Sequence, residues 1–141
     1  MPLRTMLAAL AAAAIALGAF AGPAAASKAP TASQAKQITR AVKTTKLGGA
    51  NRIPKSWYTV DRIRISSLSD SWALAWQTAT SKGEGRFQPA YFILVNPQGS
   101  KRWVVVSLGT ALVGCGVAPD VVIADLVGSP GCPPGEGIPG S

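Results

Sequence analysis

The sequence predicts an α+β domain, with an N-terminal helix packed on a four-stranded antiparallel meander and a short, disulfide-tied C-terminal helix. Three observations lead there. An apolar stripe of helical period runs through residues 32–46, four β-rich runs follow with short polar connections, and two cysteines bracket a last short apolar segment.

The element nearest the N-terminus is an export signal. Residues 1–26 carry Arg4, an apolar stretch from Leu7 to Phe20 and Ala24-Ala25-Ala26, which predicts cleavage between Ala26 and Ser27. The apolar stretch is shorter than the about 20 residues that cross a bilayer, and no second one follows, so no transmembrane span is expected in the mature chain. No cysteine precedes Cys115, which excludes lipid attachment at the cleavage point, and no paired arginine marks the twin-arginine route. The expected location is secreted or extracytoplasmic.

Of the 141 residues, 115 remain after cleavage, enough for one domain (27–132) with one core. The mature chain has 13 Lys and Arg against 6 Asp and Glu, a net charge of +7. That balance comes from scarce acids rather than a dense basic tract, so no nucleic-acid partner is expected.

Thr31 and Gln34 have the spacing of a helix capping box, and Ala35, Ile38 and Val42 form the apolar stripe of a helix over 32–46. Gly48-Gly49 offer a left-handed C-terminal cap. Lys36, Arg40 and Lys43 make a basic row on another side of this helix, either a solvated face or a surface for an anionic partner.

Asn51–Ser56 contains Pro54 and reads as a connector to a first strand over 57–65. Ile63 and Ile65 point one way and Arg62 and Arg64 the other, which predicts one buried face and one wet, positive face. Val60 is out of phase with the isoleucines; a bulge near Asp61 or a strand start after Val60 would reconcile them. In residues 72–78, Trp72, Leu74 and Trp76 alternate with Ala73, Ala75 and Gln77, a strand pattern, although Trp72 and Trp76 also have helical spacing. Ser81–Gly85 supplies a hairpin loop, 89–95 a third strand, Asn96-Pro97-Gln98-Gly99 a turn and 103–108 a fourth strand. Short connections favour an antiparallel meander over a parallel sheet.

Pro119 and Asp120 suit a helix entry, which predicts a short helix over 119–127. Two cysteines in an exported chain allow one pairing, Cys115 with Cys132, which ties the far end of that helix to its beginning. Residues 133–141 are rich in Pro and Gly and read as a flexible tail.

The chemistry these residues permit is narrow. Histidine is absent, which removes the commonest general base and the nucleophile and base pairs built on it. The six acids are scattered, no S-x-x-K stands with its supporting motifs, and neither zinc nor EF-hand patterns nor a G-x-x-x-x-G-K-[ST] phosphate loop occur. No catalytic residue, metal site or cofactor is therefore expected, and the chain reads as a non-enzyme. Trp57, Tyr58, Trp72, Trp76, Tyr91 and Trp103 lie in or beside strands, where they either fill the core or stack on sugars or peptides.

The segment from Trp57 to Trp72, the run Lys101-Arg102-Trp103-Val104-Val105-Val106 leading into Gly109, and Gly114-Cys115-Gly116 followed by Pro119 and Asp125-Leu126 resemble small secreted actinobacterial proteins of unassigned function. The resemblance implies a secreted domain with a cysteine pair near its C-terminus, and transfers neither an activity nor a catalytic residue. By analogy of fold alone, cystatin-like and other helix-plus-meander domains point to inhibitors and binding modules.

The expected function is a non-enzymatic binding or inhibitory module of the cell envelope or extracellular space. Its partner would be an anionic cell-envelope polymer or an acidic extracellular protein, met by Lys36, Arg40, Lys43, Trp57, Arg62, Arg64 or Trp76. Two alternatives stand beside it: an accessory envelope protein held by weak charge contacts, and a hydrolase with an unusual histidine-free site.

Overall fold

A computed structural model describes residues 26–97, 100–128 and 131–138, so the expected signal segment lies, apart from Ala26, outside the described residues. The element order is α1 (Ala32–Thr44), β1 (Tyr58–Ile65), β2 (Trp72–Ala79), β3 (Tyr91–Val95), β4 (Val104–Gly109) and α2 (Asp120–Val127). The four strands form one antiparallel sheet in sequence order, the expected meander.

Thr31 caps α1 through the reciprocal box read from the sequence: its Oγ1 accepts from the Gln34 N–H at 3.2 Å, and its own N–H donates to Gln34 Oε1 at 2.8 Å. The helix ends at Thr44, two residues before the expected boundary, where the Thr44 hydroxyl donates back to the Arg40 carbonyl and Thr45 turns extended. Gly48 and Gly49 are not its cap. They take φ of 57° and 75° inside a short 3-10 segment, Leu47–Arg52, with the Gly48 backbone pressed against Leu108.

The run over 72–78 is a strand, and its alternation decides the architecture. Ala73 and Ala75 face α1 and pack in one core cluster with Ile38, Val42, Tyr58, Ile65, Phe92 and Leu94. The small alanine side chains let the helix settle close to the sheet. Trp72 and Leu74 face the other way, into a second cluster with Ile93, Val113, Val122, Ile123 and Leu126. Both sheet faces are therefore covered, α1 on one and α2 with its preceding loop on the other. The wet face expected of the first strand holds at Arg62 and Arg64, which are exposed, while at Leu74 and Ile93 the same side of the sheet is covered. The inward-facing apolar residues of α2, Val122, Ile123 and Leu126, are each at most 4% exposed and need a second apolar surface to bury them.

Three devices hold α2 in place. Cys115 and Cys132 form the expected disulfide, closing the loop that contains the helix. Asp125 clasps the β1–β2 turn, accepting from Ser66 Oγ at 2.8 Å, the Ser67 N–H at 2.8 Å and Ser67 Oγ at 2.9 Å. Asp120 Oδ1 accepts from the Cys132 N–H at 3.0 Å. Ile138 pairs with Pro119 and its carbonyl accepts from the Asp120 N–H at 2.9 Å; residues 139–141 lie outside the described residues. At the other end of the chain, Lys28 pairs with Ile65 at the end of β1 and its ammonium meets Asp70, the one ion pair among the described residues.

Candidate functional site

A bulge in β1 builds the site. Asp61 faces Trp76 and Arg64 faces Leu74, so Arg62 and Ile63 together oppose a single residue of β2. This is the first of the two solutions that the sequence left open, and it places Val60, Ile63 and Ile65 against the same core cluster. Arg62 absorbs the irregularity with φ of 48°, a left-handed backbone that costs a residue with a Cβ on the order of 1 kcal/mol. Its guanidinium is carried over the Trp76 indole, 5.8 Å from the ring centroid. Trp76 in turn packs on Tyr91 with centroids 4.2 Å apart and planes inclined at 48°.

Beside this stack, where α2 stops short of covering the sheet, a cavity of about 310 Å³ opens. Leu74, Tyr91, Ile123 and Leu126 are among its apolar lining, and Arg62 and Arg64 bring two cations to it. Among the described residues no carboxylate lines it. Leu112 and Val127, also in the lining, are 53% and 45% exposed. Leu112 has φ of 54°, so the two non-glycine residues with left-handed backbone among the described residues both line this cavity. Strained backbone gathers where surrounding structure overrides local preference, and functional sites are the commonest such places.

The other singled-out residues are scattered. Trp57 sits at the opposite end of β1, under the Arg86 guanidinium at 5.4 Å. The basic row of α1 divides. Lys43 lies over the Tyr58 ring at 5.9 Å, Lys36 is exposed, and Arg40 joins Lys101 and Arg102 around a polar recess on the α1 side of the sheet. Trp103 lines that recess but is buried, with no partner for its indole N–H among the described residues. Only Arg62, Arg64 and Trp76 of the candidate residues come together.

Tyr91 reads from the sequence only as one of the strand aromatics and not as part of the partner-binding set, and Leu112 and the wall from α2 are not among the candidates at all. Tyr91 was within reach, because it shares β-strand phase with Ile93 and faces Trp76 across the ladder. Leu112 lies in a glycine-containing loop with no periodicity, and nothing in the sequence marks it.

Fold and site together define an α+β domain whose four-stranded antiparallel sheet is covered on both faces, with a C-terminal disulfide and an arginine-lined apolar cavity. A disulfide is the mark of an oxidising, extracytoplasmic compartment, and no helix among the described residues is long and apolar enough to cross a membrane. No known protein family, curated relative or solved structure matches the chain. The resemblance to small secreted actinobacterial proteins rests on its motifs alone.

Proposed function

We propose that the exported chain is a non-enzymatic binding or inhibitory module of the cell envelope or extracellular space. Its working surface is the open end of the sheet face beside α2. The observation that carries this is the convergence of Arg62, Arg64 and Tyr91 on one cavity with an apolar floor and, among the described residues, no neutralising carboxylate, backed by Trp76, which stacks on Tyr91 and lies under the Arg62 guanidinium. Aromatic and arginine side chains are the anchors that binding surfaces favour. The partner is an anionic cell-envelope polymer or an acidic extracellular protein. The test is saturable capture from cell-envelope extract by the exported protein, compared with the double variant R62E/R64E. Capture that weakens in the variant supports the site, and equal capture removes it.

A second reading has its own observation. Arg40, Lys101 and Arg102 gather around a recess with no acid in its lining, which suits an accessory envelope protein held by weak charge contacts. Complete release from cells at moderate salt, with no saturable partner, favours that reading over the first.

A further inference from the structure

We infer that the unit recognised in the cavity is a single-headed anionic amphiphile, its carboxylate or phosphate head held by Arg62 and Arg64 and its apolar body lying over Leu74 and Ile123. This goes beyond the polymer or protein partner proposed above and rests only on that reading's choice of surface.

Four features of the cavity converge on that ligand class. The volume, about 310 Å³, lies at the low end for ligand pockets and holds about ten water-sized volumes, room for an apolar body on the order of ten non-hydrogen atoms. The floor is apolar, so water held there lacks partners and an apolar body gains by displacing it. The two cations are arginines, whose planar forks bind carboxylate and phosphate oxygens pairwise. Among the described residues neither arginine has a carboxylate within ion-pairing distance.

Strain completes the pattern. A glycine at position 62 would make the same bulge without a Cβ penalty, yet an arginine stands there and is steered over Trp76. Leu112, exposed and equally left-handed, is held at the same cavity. Leu112 leaves apolar surface in water at the cavity edge and Arg62 brings an exposed cation to it, so the two are positioned to contact a molecule that is apolar at one end and charged at the other.

A monomeric amphiphile is distinguished from a lipid surface by the cavity itself. A bilayer presents many head groups in a plane and needs no recess, whereas a single short chain must enter one.

The experiment titrates decanoate, decyl phosphate and decanol into the exported protein, followed by calorimetry. Parallel runs use R62E/R64E, T110W, which places a large ring at the exposed edge of the cavity, and K101E/R102E on the far side of the sheet. Thermal melting checks that each variant is folded. The expected result is saturable binding of both anions, with decanol at least about tenfold weaker. R62E/R64E and T110W are expected to lose at least about tenfold in affinity and K101E/R102E to keep it. Failure of both anions to saturate with Kd below about 1 mM overturns the inference. So does adsorption to phosphatidylglycerol vesicles that T110W leaves unchanged while the monomers fail to bind. If the monomers fail but R62E/R64E still abolishes capture from envelope extract, the proposed surface stands and this ligand class falls. If capture is also unaffected, both fall.

Discussion

Gly114 is the position at which the two-faced architecture is most exposed to test. Its φ is 85°, and a Cβ added there would lie 2.3 Å from Ile123 Cδ1 and 2.9 Å from Ile93 Cγ1. Two costs therefore add in Gly114→Ala. The left-handed backbone costs about 1 kcal/mol, and wedging a methyl group between the sheet and α2 costs about 2 kcal/mol, in the middle of the range for overpacked cores. The sum, about 3 kcal/mol, lowers the melting temperature by about 12 °C for a domain of this size. Gly116 provides the internal control, because its φ is 79° but the nearest atom to an added Cβ is the Glu136 carbonyl oxygen at 3.8 Å. Gly116→Ala carries the backbone cost alone, about 1 kcal/mol and about 4 °C. Both glycines flank Cys115, so the two variants are compared by calorimetry after thiol titration shows the disulfide formed. Equal melting temperatures for the two variants would refute the packing of α2 and its loop on the second sheet face, and with it the cavity wall.

Other perturbations probe the same frame. Asp125→Ala removes an acceptor of three hydrogen bonds, including one from the fully buried Ser66, and is expected to cost about 2 to 3 kcal/mol in denaturant unfolding. Replacing Cys115 and Cys132 together by Ala opens a cross-link spanning 17 positions and is expected to cost about 3 kcal/mol; an unchanged denaturation midpoint would show that α2 docks without it. Burial pushes the Tyr58 phenol above its ordinary 10.0, while the Gln77 side chain beside it pulls part of the way back. The folded state thus favours the neutral phenol, and its contribution is intact below pH 10.0 and lost as pH rises through the higher folded value. Tyr58→Phe should accordingly flatten the fall in stability above pH 10, measured by denaturant midpoints along a pH series.

The meander was legible because its information is local. In β2 a helix would have set Leu74 apart from Trp72 and Trp76, and the period of two instead puts all three on one face. The capping box at Thr31 needs only two residues three apart, and the disulfide needs only a count. Boundaries were less legible where side chains compete with the backbone. The Thr44 hydroxyl back-bonds to Arg40 and ends α1 early, before Gly48 and Gly49 can serve as its cap.

The second covered face was not legible, because the segment that covers it follows the whole sheet in sequence and returns beneath its centre. Arg62 and Arg64 read as a wet face when the strand is considered alone. In the folded chain they border a partly roofed cavity, and its far wall comes from Ile123 and Leu126, about sixty positions later in the sequence. The disulfide and the Asp125 clasp hold that wall, so the same contacts that bury the second core also complete the site. A ligand seated there binds the docked form of α2, and stabilises it in proportion to the logarithm of its concentration over Kd. Decanoate should therefore raise the melting temperature of the disulfide-bonded protein. It should raise that of the Gly114→Ala variant far less, because that substitution pries α2 from the sheet while leaving both arginines in place.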